Sequence, residues 1–180
     1  MKTIISQIPS RETLVNGEDA LKIGYPWIAS GAILALESIV GKQTKVLELG
    51  SGGSTIFWAK NCKSVKSYET NAEWFKDVKQ KTRNLWNAEV ILGSRHQTTN
   101  GLKSEPNGGY DIVLVNSDPR HTKRLDLANI ALSKIKIGGW LIINNYQRFG
   151  MGGFNYSGRP VLTFDELGFN GLGTKLVKKT

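Results

Sequence analysis

Lys45-Val46-Leu47-Glu48-Leu49-Gly50-Ser51-Gly52-Gly53-Ser54-Thr55 joins a short apolar strand to a glycine turn, and the amphipathic segment Ile56-Phe57-Trp58-Ala59 follows it directly. The run predicts strand, turn and helix. Glycines at 50, 52 and 53 let the backbone bend sharply and approach a ligand with no Cβ in the way, as nucleotide loops do at the first turn of an α/β sheet. A second apolar strand, Ser64-Val65-Lys66-Ser67-Tyr68-Glu69, ends in a carboxylate. That spacing matches a βαβ unit whose second acidic residue accepts hydrogen bonds from ribose hydroxyls.

A dinucleotide fingerprint starting at Gly50 requires glycine at position 55, where this chain has Thr55. A carboxylate on the loop, Glu48, repels a pyrophosphate and attracts a cation such as the ammonium of an amino acid. Both points favour S-adenosylmethionine over NAD. The motif Glu48-Leu49-Gly50-Ser51-Gly52-Gly53-Ser54, taken with Glu69, resembles the nucleoside-binding region of class I (Rossmann-like) S-adenosylmethionine-dependent methyltransferases, over roughly residues 26–145.

Outward from this unit, Pro26 and Gly41 bracket a helix-like run from Trp27 to Val40. Asn71 to Leu85 has helical apolar spacing, and Ala88-Glu89-Val90-Ile91-Leu92 reads as a third strand. Tyr110 to Asn116 is a near-continuous apolar run, as expected of a central parallel strand buried on both faces. Leu125 to Ile137 reads as a helix ended by Gly138-Gly139, and Trp140 to Asn144 as a fifth strand. Strands alternating with helices predict a three-layer α/β/α sandwich around a mostly parallel, twisted sheet with right-handed crossovers. Thr174 to Val177 is expected to close an edge as an antiparallel strand. The resemblance implies the order 3-2-1-4-5 followed by a terminal 7-6 hairpin, whose sixth strand would fall around Leu167 to Gly171.

At 180 residues the chain is expected to form one domain, residues 1–180, with no separate substrate domain. Residues 1–25 read as an N-terminal arm or lid, and residues 146–160 as a glycine- and aromatic-rich loop suited to a mobile flap over an acceptor. Met1 to Ser6 lacks the apolar run of a secretion signal, and the stretch Ile28 to Val40 is too short and too interrupted to span a bilayer. A cytoplasmic protein without a membrane partner is the expectation. Cys62, the single cysteine, reads as a structural thiol. The net charge of +9 would assist contact with polyanions, although the basic residues are spread along the chain. Local clusters include Arg120-Lys123-Arg124.

Ligands of open parallel sheets bind beyond the carboxyl ends of the strands. The resemblance places Gly50 and Gly52 against the methionine and ribose parts, Ser51 and Ser54 on the same loop, and Glu48 near the amino group directly or through water. Glu69 would hold the ribose hydroxyls, with Thr70 and Asn71 beside them, Ser94 or Gly93 at the adenine edge, and Asn116 at the end of the fourth strand. Methyl transfer needs alignment of the acceptor and, for a poor nucleophile, a base. In Asn116-Ser117-Asp118-Pro119-Arg120-His121 the candidate bases are Asp118 or His121, with His96 less well placed. Where metal-dependent relatives carry acids, this chain has Asn116, Asn144 and Asn145, and neutral amides are poor ligands for a hard cation, so no metal is expected.

The expected function is S-adenosylmethionine-dependent methyl transfer, to a small-molecule oxygen rather than a nucleic-acid base. Arg148 and Arg159 beside the flap raise an anionic acceptor. The rivals are a cofactor-binding protein that has lost catalysis, a nucleic-acid-modifying or nucleic-acid-binding module, and more distantly a nicotinamide oxidoreductase.

Overall fold

Strand β1 (Lys45–Leu49) is buried from Val46 onward in the computed structural model, which describes residues 16–117, 124–148, 151–165 and 172–180. Its neighbours are β2 (Ser64–Glu69) on one side and β4 (Tyr110–Val115) on the other, both parallel to it. With β3 (Ala88–Leu92), β5 (Ile135–Asn144), β6 (Val161–Phe164) and β7 (Thr174–Lys178), they form a seven-stranded sheet of order β3-β2-β1-β4-β5-β7-β6. The expected mostly parallel sheet with an antiparallel C-terminal edge is observed: β7 runs antiparallel to β5, and β6 antiparallel to β7.

Alternation along the strands divides the core. Val46, Val65, Ile112, Leu114, Ile142 and Leu176 face one layer, packed on Ile33 and Leu36 of α2 (Ser30–Ile39) and on Phe57 and Trp58 of α3 (Gly53–Asn61). Leu47, Leu49, Val113, Val115, Leu141 and Ile143 face the other, against Leu102 of α5 (Arg95–Ser104) and Ala128 and Ala131 of α6 (Arg124–Lys134). Each large apolar side chain so enclosed contributes roughly 2 kcal/mol over an exposed position. Helix α4 (Ala72–Thr82) puts Val78 on Val90 of β3, and α1 (Gly17–Ile23) puts Leu21 against Ile56. Cys62 is buried, and desolvation pushes its thiol up to about 12, so it stays protonated.

Several elements differ from expectation. The segment 56–59 is not amphipathic: Gly53 to Ala59 are all buried, because α3 lies between the sheet and α1. Helix α2 begins three residues later than expected, since the Ala29 N–H is bonded to Thr174 Oγ1 (3.1 Å) and the backbone there is extended. Helix α6 ends at Lys134, whose ammonium is held by the carbonyls of Lys103 and Glu105, and β5 starts at Ile135 through a register shift against β4. The sixth strand is Val161–Phe164, and the position expected for it, 167–171, lies outside the described residues. Helix α5 was not evident from apolar spacing.

Of the arm expected over 1–25, residues 17–23 form α1, packed on α3, and residues 1–15 are not described. In the segment 146–160, Met151 and Phe154 are buried in the core, and Tyr146 and Tyr156 face the Lys175 ammonium at 4.2 and 4.4 Å. These aromatics serve packing on β7. No described helix is long and apolar enough to cross a membrane.

Candidate functional site

The chain reverses at Gly50, with φ +93°, a conformation that disfavours a Cβ. The turn is pressed against the end of β4: a Cβ here would lie 2.7 Å from the Asn116 carbonyl oxygen. The Gly50 N–H donates to the Tyr68 carbonyl (2.8 Å) and the Asn116 N–H to that of Leu49 (2.9 Å), which binds the carboxyl ends of β1, β2 and β4 together. Gly53 serves a different contact. A Cβ there would stand 2.1 Å from the Ala20 carbonyl oxygen, so this glycine, also on the cavity wall, admits the backbone of α1.

Over these strand ends lies a cavity of about 790 Å³, a size typical of small-molecule sites. It sits where the strand order reverses, beside β1 and β4. Gly50, Ser51, Gly52 and Ser54 form one wall; Glu69 and Thr70, after β2, form the next; Asn116 closes the β4 side. These seven residues, singled out from the sequence, converge, and Asn71 joins them on the wall.

Glu69 is nearly enclosed and is the hub of this wall. Its Oε2 accepts from the Ser51 N–H (2.9 Å) and hydroxyl (3.0 Å), and its Oε1 from the N–H groups of Thr70 (2.7 Å) and Asn71 (2.9 Å). The Asn71 side chain caps α4 by accepting from the N–H groups of Glu73 and Trp74. The Trp74 indole in turn donates to the Ser51 carbonyl (2.8 Å).

Glu48 does not line the cavity. It is wholly buried beneath the turn, where its Oε2 accepts from the hydroxyls of Thr55 (2.6 Å) and Ser67 (2.6 Å). The Thr55 hydroxyl also accepts the Gly52 N–H (3.0 Å), so position 55 ties the turn to the strand below. Burial raises the Glu48 carboxyl to about 6, against the opposing pull of the groups around it, Ser54, Ser67, Thr55 and Trp58.

Ser94 also stands away from the cavity. It is the N-cap of α5, accepting the Gln97 N–H while the Gln97 side chain accepts the Ser94 N–H (2.8 Å). This Ser-x-x-Gln capping box is the signal that could have revealed α5. Thr98, one turn further on, takes the place on the cavity wall. Asp118 and His121 lie outside the described residues. His96 is not on the wall either.

The three asparagines form neutral chemistry. Asn144 Nδ2 donates to Asn116 Oδ1 (2.9 Å) and to the Trp27 carbonyl (3.2 Å), and Asn144 Oδ1 accepts from Thr174 (3.0 Å). Asn145, buried and with φ 54°, lines the cavity. Among the described residues, no cluster of His, Cys, Asp or Glu is arranged to hold a metal ion.

Other wall residues were not singled out for the site: Glu18 from α1, Trp27, Trp74 and Leu127. Arg124 belonged to a cluster read only as charge, yet it is 3% exposed and on the wall. Burial first, and then the nearby Arg148, lower its guanidinium to about 10. Arg148 shares that wall, whereas Arg159 does not, its guanidinium being bonded to the carbonyls of Asn155 and Ser157.

No family model and no curated protein sequence matches the chain. Solved structures do. An O-methyltransferase from Bacillus cereus in complex with SAH superposes with TM-score 0.68 at 20% identity, over 97% of this chain and 94% of that one. An rRNA methylase from Streptococcus thermophilus gives TM-score 0.62 at 18% identity, over 80% and 91%. A fibrillarin pre-rRNA processing protein from Methanococcus jannaschii gives 0.58 at 14%, over 78% and 68%. The chain therefore has the Rossmann-like methyltransferase fold.

Proposed function

We propose that this protein is an S-adenosylmethionine-dependent methyltransferase acting on a small molecule. The observation that carries the reading is Glu69: a carboxylate at the end of β2, on the cavity wall, bonded to the backbone of the glycine turn. A nucleoside laid over that turn would meet Glu69 with its ribose hydroxyls, because two oxygens on one carboxylate can bridge a diol. Trp74 offers an aromatic face beside Gly52, with its ring atom Cζ2 3.6 Å from where a Cβ would stand. Glu18, at the cavity and exposed, is the carboxylate available to the ammonium of the methionine part, a role expected of Glu48 from the sequence.

When bound, S-adenosylmethionine supplies a methyl group on a sulfonium: the acceptor's lone pair forms the new bond as the methyl–sulfur bond breaks onto sulfur, and the acceptor's proton leaves to a base. The turn, Glu69 and the α1 segment would fix the reacting geometry, the main contribution a protein makes to such a displacement. Asp118 and His121 are the groups proposed to take the proton. A small-molecule acceptor, methylated on oxygen, is favoured over nucleic acid, and a cavity of about 790 Å³, typical of small-molecule sites, supports the small-molecule part.

The test is a thermal-unfolding panel with S-adenosylmethionine, S-adenosylhomocysteine, NAD and ATP. Stabilisation by the first two alone supports the reading; stabilisation by NAD, or by none, overturns it.

A further inference from the structure

Resting on that nucleoside-binding reading, we propose that Arg124 and Arg148 form the subsite for an anionic group of the acceptor, so that the molecule methylated carries a carboxylate or a phosphate. Arg124 starts α6, and among the described residues its Nη2 alone is engaged, donating to the Val115 carbonyl (3.0 Å). Its Nε and Nη1 are buried with no hydrogen-bond partner among the described residues, and so is the Nε of Arg148. Both side chains line the cavity. The ion pairs among the described residues join Lys66 to Glu89 and Glu105, and Lys136 to Asp111; none involves either arginine.

Among the described residues, the cavity's carboxylates do not serve as counter-charge. Glu69 accepts from Ser51, Thr70 and Asn71 and, among the described residues, pairs with neither arginine. Glu18 is exposed on α1. A buried guanidinium with a second, half-buried one near enough to act on it, and no anion among the described residues, is a costly arrangement. A ligand anion offsets that cost, and the planar fork of Arg suits the paired oxygens of carboxylate or phosphate.

Position assigns the anion to the acceptor. The arginines follow β4 and β5, whereas Glu69 follows β2 on the far side of β1. The same chemistry would also suit the carboxylate of the cofactor's methionine end, so the experiment separates the two sources.

Calorimetry on the full chain starts with S-adenosylhomocysteine and wild type; absence of binding there overturns the nucleoside reading and this inference with it. The half-buried Arg148 is then changed to Gln, leaving Arg124 and its bond to Val115 in place. S-adenosylhomocysteine and 5′-methylthioadenosine, which lacks the amino-acid end, are expected to bind Arg148→Gln as they bind wild type. A loss of about tenfold for the former alone assigns the arginine to the cofactor and overturns the proposal. Protein saturated with S-adenosylhomocysteine is finally titrated with benzoate, phenyl phosphate and neutral benzamide. The anions are expected to bind, benzamide to bind at least about tenfold more weakly, and Arg148→Gln to lose that preference while Arg148→Lys keeps part of it. Equal binding of all three probes, no anion binding to wild type, or a preference unchanged in Arg148→Gln overturns it.

Discussion

The Oε2 of Glu69 accepts both the N–H and the hydroxyl of Ser51, at 2.9 and 3.0 Å, so one carboxylate oxygen fixes the glycine turn against the end of β2. The N–H bond is part of the turn, whereas the hydroxyl stands where a ribose hydroxyl would donate. Ser51→Ala removes only the competing donor. Its affinity for S-adenosylhomocysteine is expected to stay within about threefold of wild type, since the freed lone pair accepts from the ligand instead. A loss of about a hundredfold in calorimetry would show that the hydroxyl, not Glu69, makes the contact.

Gly53 carries the backbone of α1 at a distance no side chain allows, 2.1 Å from a Cβ to the Ala20 carbonyl oxygen and 2.3 Å to that of Tyr25. Gly53→Ala is expected to lower unfolding free energy by about 2–4 kcal/mol in urea titrations, as α1 is pushed off α3. Gly41, with nothing within 4 Å of its Cβ position, is the control. Gly41→Ala is expected to change stability by less than about 1 kcal/mol.

Glu48 is buried and its carboxyl raised to about 6 from 4.5. A folded-state value above the unfolded one favours folding at low pH, and that contribution is lost as pH rises through the window from 4.5 to about 6. Glu48→Gln has no such proton to lose. Wild-type stability is therefore expected to fall relative to Glu48→Gln by about 2 kcal/mol between pH 4.5 and 7. Parallel stability curves for the two proteins would contradict the assignment.

Asn144 presents its amide nitrogen to two acceptors, Asn116 Oδ1 and the Trp27 carbonyl, within the buried end of β5. Asn144→Asp sets a third acceptor against them. The variant is expected to unfold at lower urea, by about 2–4 kcal/mol at pH 8, and to recover in part at acid pH as the carboxyl takes a proton. Equal stability of variant and wild type at pH 8 would show that the amide donates nothing there.

The sheet and its cavity-lining loops were legible because they rest on short-range signals: apolar runs, a glycine turn, and an acid at a strand end. Helix α5 was not, because Arg95 to Ser104 has almost no apolar face and declares itself only through the Ser94–Gln97 cap. Glu48 looked like a loop carboxylate from its place before Gly50, but the alternation of β1 turns it under α3, towards Ser67 on the neighbouring strand. Arg124 read as one member of a basic cluster. Its burial is set by the packing of α6 beside β4, which no local pattern reports.

The most direct test is calorimetric titration of S-adenosylhomocysteine into wild type and Glu69→Ala, with circular dichroism to establish that both are folded. Micromolar binding by wild type and a loss of about a hundredfold or more in Glu69→Ala is the predicted result. Folded wild-type protein that binds no S-adenosylhomocysteine, or a Glu69→Ala variant that binds as tightly as wild type, would contradict the account.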